Sequence, residues 1–171
     1  GDVVASTQEY PDVLIKNCTL QKNRARGFLL GSRGKIVVED CYFHTHCAAI
    51  NLEGDGRFWF EQSGVRDLTI RNNVFDNCNY SFMLGLGVIQ VNSGIEESKR
   101  AESRYNRNIL IENNKFRVFN PCILSMYSVD NLIFRNNTIE KNDEYVLSDW
   151  MKNIDLKPFM ITNSSNVNIQ E

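Results

Sequence analysis

The sequence predicts an all-β fold: a right-handed, single-stranded parallel β-helix of about five to six coils with loop insertions. Three observations predict it. A short phrase of alternating apolar residues, which ends in a polar pair, occurs six times along the 171 residues. Each of the first five copies is followed by a second short apolar run. The shortest distance between copies is 23 residues, which suits one coil of such a fold.

The copies of the phrase superimpose when the second apolar residue of each copy serves as a marker. The markers are Ile15, Val38, Ile70, Ile111, Phe134 and Ile169, the last in a clipped copy. The steps between them are 23, 32, 41, 23 and 35 residues. The two steps of 23 define the basic coil, and the longer steps indicate the same coil with inserted loops.

The second apolar run of each coil predicts a second strand. These runs are residues 27–30, 48–52, 88–91, 122–126 and 159–161. Two short strands separated by a polar turn fit one turn of a parallel β-helix. Leucine-rich repeats have a similar period, but their fixed leucine consensus is missing from this sequence.

The polar pair at the end of each phrase predicts a tight corner. Its first members are Asn17, Asp40, Asn72, Asn113 and Asn136, and its second members are Cys18, Cys41, Asn73, Asn114 and Asn137. Asparagine tolerates the left-handed backbone of a tight corner. Because stacked strands are about 4.8 Å apart, asparagines of successive coils can hydrogen-bond to one another. We therefore expect a structural asparagine ladder with no catalytic role.

Composition limits the class of protein and its partners. The length predicts one domain over residues 1–171. A net charge of −2 and a pI of about 5.8 do not favour nucleic acid or an anionic membrane as a partner. No apolar run approaches the roughly 20 residues of a membrane helix, so membrane insertion is not expected.

Cysteine and histidine spacing does not indicate a metal site. The five cysteines lack a CxxC spacing and are interpreted as small buried hydrophobic residues. His44 and His46 would share a face of an extended strand, but the sequence has no third histidine. We therefore predict no metal and no cofactor.

The insertion at residues 53–64 carries candidate functional residues. It places Phe58, Trp59 and Phe60 in a loop rich in glycine and acid, where aromatic rings could stack on sugar faces or merely cover the coil. If the strand continues, Glu53 and Asp55 share a face with Cα atoms roughly 6.5–7 Å apart. Inverting glycosidases have carboxyl groups about 6.5–9.5 Å apart. The alternative for this acidic pair is a solvated turn.

Two further segments depart from the repeat. Arg26 and Arg33 flank a predicted strand and could point into a shared cleft, or they could be ordinary surface arginines on turns. Residues 94–107 mix both signs of charge and predict a solvated loop or a single exposed helical turn.

The stretch 24–77 resembles the β-helix of glycoside hydrolase family 110, the bacterial exo-acting α-1,3-galactosidases. The resemblance lies in RARGFLLGSRGKIVVED and AAINLEGDGRFWFEQSGVRDLTIRNNVFDN, and SVDNLIFRNNTIE resembles the last coils of such proteins. It implies an inverting hydrolase that needs no metal and removes terminal α-1,3-linked galactose from glycans. It also implies an extracytoplasmic location, in the periplasm or at the cell surface.

One departure from this family bears on catalysis. The family's catalytic acids are associated with an adjacent Asp-Asp pair ahead of the RARG-like stretch, and this chain contains no Asp-Asp. The resemblance then implies the C-terminal coils of a longer enzyme, inactive alone, with catalytic aspartates outside the chain. Within the chain, Glu53 and Asp55 are the catalytic candidates. The resemblance also implies a sugar-binding wall. The residues that match the family-like motifs, and are assigned to this wall by position, are Arg26, Arg33, Glu53, Trp59 and Glu61.

Other functions remain open at this point. A carbohydrate-binding or structural β-helix without hydrolysis would use the same aromatic loop. A polysaccharide lyase or epimerase would use Arg26, Arg33 and Lys35 against an acidic sugar. A stack of coils cut from its neighbours exposes an apolar end, so end-to-end self-association is expected unless residues 1–11 cap it.

Overall fold

The computed structural model describes residues 8–55, 59–60, 63–81 and 85–170. In this part of the chain the strands form three parallel sheets of six, five and five strands. Sheet A comprises β1 (Val13–Lys16), β4 (Lys35–Glu39), β7 (Asp67–Arg71), β10 (Asn106–Glu112), β13 (Val129–Arg135) and β16 (Ser165–Ile169). Each coil begins on this sheet.

The other two sheets complete each coil. Sheet B comprises β2 (Thr19–Gln21), β5 (Tyr42–His44), β8 (Val74–Asp76), β11 (Lys115–Val118) and β14 (Thr138–Lys141). Sheet C comprises β3 (Phe28–Leu30), β6 (Ile50–Leu52), β9 (Ile89–Val91), β12 (Leu124–Tyr127) and β15 (Phe159–Thr162). The chain passes from A to B to C five times and then starts a sixth coil with β16.

Strand register confirms the repeat. Each marker residue pairs with the marker of the next coil, so that one column runs through Ile15, Val38, Ile70, Ile111, Phe134 and Ile169. The second apolar runs form sheet C, as predicted. The final residues of each phrase form sheet B, which the sequence did not separate from sheet A. The β-helix and its five to six coils are confirmed.

A column of aromatic side chains fills the core beneath sheet B. Phe43, Phe75 and Phe116 occupy equivalent positions in successive coils and are fully buried. Their ring centroids are 4.9 Å and 4.8 Å apart, at interplanar angles of 13° and 12°. The parallel register creates this stack because it places each ring directly over its counterpart.

The two members of each polar pair have separate roles at the corner between sheets A and B. The first members, such as Asn72 and Asn113, have a φ of 56° and make the left-handed turn. The second members form the hydrogen-bonded ladder: Asn73 Nδ2 donates to Asn114 Oδ1 at 3.0 Å, and Asn114 Nδ2 donates to Asn137 Oδ1 at 3.0 Å. The predicted ladder is confirmed, and it runs through the second column.

Cysteines continue this ladder in the first coils. The backbone N–H of Cys18 donates to Cys41 Sγ at 3.4 Å, and the Cys41 thiol donates to the Glu39 carbonyl at 3.1 Å. Burial raises the pKa of Cys78 and Cys122 to about 12. All five cysteines are free thiols, and all but Cys18 are buried, as predicted.

His44 has local hydrogen-bond partners. Its Nδ1 lies 2.8 Å from the Asp76 carbonyl oxygen and its Nε2 lies 3.2 Å from the Tyr145 hydroxyl. Across the described residues, no group of three or more metal-ligating side chains is assembled. None of the helices described there has the length and apolar character to span a bilayer.

The insertions concentrate around sheet C. The connections from sheet C to sheet A contain residues 31–34, 53–66, 92–105, 128 and 163–164 in successive coils. The longest connections from sheet B to sheet C are residues 77–88 and 142–158, and the latter includes the helix α1 (Asp149–Lys152). The predicted loop 94–107 contains a single exposed 3₁₀ turn, Glu97–Lys99, as expected, but its last two residues belong to β10, where Asn106 is buried. Long loops therefore border sheet C in the second and third coils.

Candidate functional site

The outer face of sheet C is polar where these long loops border it. Register aligns Leu29, Asn51, Gln90 and Ser125, and strand alternation points them away from the core. Asn51 is 1% exposed and Gln90 is 4% exposed, although both are polar and face outward. Gly85 lies against the Gln90 side-chain amide, with a φ of 116° that favours glycine. Asn51 and Gln90 are therefore covered by neighbouring chain, whereas Leu29, at 40% exposure, is open to solvent.

Glu53 lies directly after β6 and folds back over this face. Asn51 Nδ2 donates to Glu53 Oε2 at 2.7 Å, and Arg26 Nη2 lies 3.5 Å from the same oxygen. Because an ionised carboxylate only accepts hydrogen bonds, the orientation of the Asn51 amide is fixed. Asn51 Oδ1 is then left buried without a partner among the described residues. Within the described residues, the site therefore contains an acceptor without a hydrogen bond, Asn51 Oδ1, next to the Glu53 carboxylate, which Asn51 and Arg26 hold in place.

Asp55 is not placed on a continued strand. Since β6 ends at Leu52, the condition for the predicted spacing of Glu53 and Asp55 on one strand face is not met. The backbone N–H of Gly94 donates to the Gly54 carbonyl at 3.0 Å, which holds the chain against the loop of the third coil. Asp55 is 7% exposed, and its Oδ2 accepts the Trp59 backbone N–H at 3.1 Å. Because both acids are buried, a solvated turn does not describe them either.

The aromatic residues of this insertion face solvent where they are described. Trp59 is 72% exposed and Phe60 is 69% exposed, so neither ring covers the coil. Phe60 has a φ of 53°, a conformation that few aromatic residues adopt. Phe58 and Glu61 lie outside the described residues.

The two arginines meet different partners. Arg26 precedes β3 and contacts Glu53. Arg33 follows β3, and its guanidinium carbon lies 5.5 Å from the centre of the Tyr10 ring. Their contacts thus place Arg26 at the polar face of sheet C and Arg33 at the corner that leads to sheet A.

Several residues of this region were not identified from the sequence. Asn51 and Gln90 interrupt the apolar runs AAINL and VIQV, and this interruption was a usable signal for an outward polar position. Tyr127 and Arg100 gave no such signal. The Arg100 guanidinium carbon lies 4.0 Å from the Tyr127 ring centre, and the Tyr127 hydroxyl donates to the Ser93 carbonyl at 2.5 Å.

Comparison with protein families agrees with this architecture. The family described as right handed beta helix region matches residues 3–171. The chain belongs to this right-handed β-helix family.

Individual relatives of this β-helix are α-1,3-galactosidases. It is 34% identical over 173 residues to α-1,3-galactosidase B of Akkermansia muciniphila, covering 100% of this chain and 21% of that protein. It is 39% identical to α-1,3-galactosidase A of Shewanella woodyi over 84% of this chain and 23% of that protein. For α-1,3-galactosidase B of Bacteroides fragilis the identity is 40%, over 94% of this chain and 27% of that protein.

These comparisons confirm the resemblance that the motifs indicated. The chain spans about a fifth to a quarter of the length of these relatives. Most of each relative therefore corresponds to no residue of this β-helix.

Proposed function

We propose that this β-helix is part of an inverting α-1,3-galactosidase whose catalytic aspartates lie outside these 171 residues. The observation that carries the proposal is an identity of 34–40% to α-1,3-galactosidases, spread over 84–100% of the chain. The absence of an Asp-Asp pair from the chain supports the proposal that the catalytic aspartates lie outside it. The glycan partner would carry a terminal α-linked galactose.

The outer face of sheet C supplies a set of groups suited to a sugar. Arg26, whose side chain is 30% exposed, donates hydrogen bonds to hydroxyl groups, and the buried Glu53 and Asn51 hold Arg26 in place from beneath. Trp59 offers an open ring to the apolar face of a pyranose. Asp55 holds the Trp59 backbone and thereby positions that ring. Glu61 belongs to the same proposed wall by sequence position alone.

The decisive experiment compares two proteins on an α-1,3-linked galactoside. We expect no turnover by the 171-residue chain. We expect a longer protein, which also contains the upstream Asp-Asp segment, to release galactose with inverted anomeric configuration, followed by proton NMR. Robust turnover by the short chain would show that the acids lie within it. An unsaturated product that absorbs ultraviolet light would instead indicate a lyase.

A matched pair of tryptophan variants tests the proposed wall. Trp59→Ala should weaken binding of an α-galactoside about two- to tenfold, since a stacking contact contributes roughly 0.5–1.5 kcal/mol beyond burial. Trp150→Ala removes another exposed tryptophan, 47% exposed, from the loop between β14 and β15 and should change nothing. Equal effects of both substitutions would remove the assignment of Trp59.

A carbohydrate-binding β-helix without hydrolytic activity is the second candidate, favoured by the open Trp59 ring together with the missing acid pair. The two candidates separate in the same experiment. Binding of the galactoside by the longer protein, without turnover, would favour the binding function.

The ends of the coil stack support a proposal about assembly. Within the described residues, β1, β2 and β3 are edge strands at one end, and β14, β15 and β16 are edge strands at the other. Edge strands present unpaired backbone groups, so we propose end-to-end association of the isolated chain. A single monomeric species in sedimentation velocity at high concentration would contradict it. An extracytoplasmic location is proposed on the resemblance alone and is tested by cell fractionation.

A further inference from the structure

Two hydrogen-bond donors beside the candidate site have no acceptor. Arg33 Nε and the Tyr10 hydroxyl oxygen are both buried and without a hydrogen-bond partner in the described part of the chain. The two side chains are in contact, with the guanidinium carbon 5.5 Å from the Tyr10 ring centre. Since buried polar atoms are nearly always hydrogen-bonded, two unpaired neighbours of the same kind indicate a missing partner.

Two acids of neighbouring segments already accept hydrogen bonds. Asp12 Oδ1 accepts the Lys35 backbone N–H at 2.7 Å. Asp55 Oδ2 accepts the Trp59 backbone N–H at 3.1 Å. No carboxylate of the described residues lies within ion-pair distance of Arg33, whereas Arg26 is paired with Glu53. The Arg33 charge is therefore uncompensated in this part of the chain.

Two tyrosines lie near this charge. Tyr10 lies against the guanidinium group, and Tyr105 packs on the backbone of Gly64, where an added Cβ would lie 2.5 Å from the Tyr105 carbonyl oxygen. Burial raises the pKa of Tyr105, and the Arg33 charge acts in the opposite direction on this pKa. Tyr105 therefore lies within electrostatic range of Arg33.

We propose that Arg33 and Tyr10 form an oxyanion-binding subsite that takes a carboxylate or a sulfate group. A guanidinium group presents its N–H donors as a planar fork that matches the oxygens of such an anion, and the phenol adds one further donor. Only the carrier of the anion rests on the proposed function: in a galactosidase, the group would belong to an acidic sugar of the glycan. Arg26 does not fill this role, because Glu53 neutralises it.

The test uses the 171-residue chain with sodium sulfate and sodium glucuronate as probes and glucose as the neutral control. The readout is the NMR resonance of the Arg33 Nε–H group. We expect a saturable shift of this resonance with one or both anions and none with glucose. A response to glucuronate alone assigns the subsite to carboxylates, and a response to sulfate alone assigns it to sulfate esters; both results support the proposal. Absence of a saturable shift, or an equal shift with glucose, overturns it.

Three variants separate a binding role from a structural one, with affinity measured by titration calorimetry. Arg33→Gln should abolish anion binding, while Arg24→Gln, the same charge change at an exposed arginine, should preserve it. Tyr10→Phe should lower the affinity about tenfold without lowering the urea midpoint, because it removes a donor that has no partner in the folded chain. Equal losses for both arginine variants, or a destabilised Tyr10→Phe protein with unchanged affinity, overturn the proposal. No galactoside is used, so this result is independent of the hydrolase test.

Discussion

Substitution of Asn114 by alanine tests the energetic weight of the asparagine ladder. Asn114 is 2% exposed, and its side chain accepts two hydrogen bonds from Asn73 and donates one to Ile70 and one to Asn137. At about 0.5–1.5 kcal/mol for each bond, the loss of all four amounts to roughly 2–6 kcal/mol. One of these four bonds is to the backbone N–H of Asn73, which is left in the interior without its acceptor. Total stability of a domain is about 5–15 kcal/mol, so this loss would be severe.

Urea unfolding followed by far-ultraviolet circular dichroism measures the effect. The neighbouring Asn113 supplies a matched control, since it is exposed and contributes a left-handed turn with a φ of 56°. Asn113→Gly should be nearly neutral, and Asn113→Ala should cost at most about 1–2 kcal/mol. If Asn114→Ala costs no more than Asn113→Ala at equal dependence on urea, the hydrogen-bonded column contributes no such stability to the fold.

Two further substitutions test the core and the electrostatics of the stack. Phe75→Ala should cost about 3–5 kcal/mol in urea unfolding, because Phe75 is fully buried between two stacked rings. Val74→Ala, at the half-buried neighbour, should cost clearly less, and similar values would contradict the role of the stack. Hydrogen bonds from Lys16 and Arg71 hold the pKa of Glu39 below its ordinary value of 4.5. Glu39 thus stabilises the fold above that value, and this contribution is lost as the pH falls through its lowered pKa. Glu39→Gln should therefore be less stable than wild type near neutrality and should converge with it in acid. An exposed control, Glu102→Gln, should follow wild type at all pH values, and a constant difference for Glu39→Gln would refute the assignment.

The sequence predicted the fold in unusual detail because the repeat imposes register. A one-residue slip would turn Ile70 or Ile111 from the core to solvent, so the apolar pattern alone aligned every coil. Sheet B was not separated from sheet A because only the two corner residues, such as Asn72 and Asn73, stand between the strands. Across this bend the buried positions shift by one residue, from Ile70 to Asn73 and Phe75, and a shift that short does not by itself mark the end of a strand in the sequence.

The candidate site was less predictable because its contacts join different coils. Glu53, Asp55 and Trp59 were identified from the insertion that contains them. The hydrogen bond from Asn51 to Glu53 and the approach of Gly94 to Asp55 depend on loop paths that no local pattern encodes. The different partners of Arg26 and Arg33 were also not predictable from local patterns, since the two side chains lie at opposite ends of β3 and contact different segments. The sequence therefore identified the residue types at the site, but the contacts between them depend on how the chain folds.

The coil from Ile111 to Phe134 has no inserted loop and acts as a spacer of fixed height between loop groups. In that coil the connection from sheet C to sheet A is the single residue Ser128, whereas the two preceding coils have long loops there. The coil therefore lies between those long loops and the segment 142–158 of the next coil. Duplication or loss of one such plain turn would move the two loop groups apart or together by about 4.8 Å and leave the chemistry of each unchanged. The spacing between the two loop groups can thus change in whole increments, independently of the residues that the loops carry.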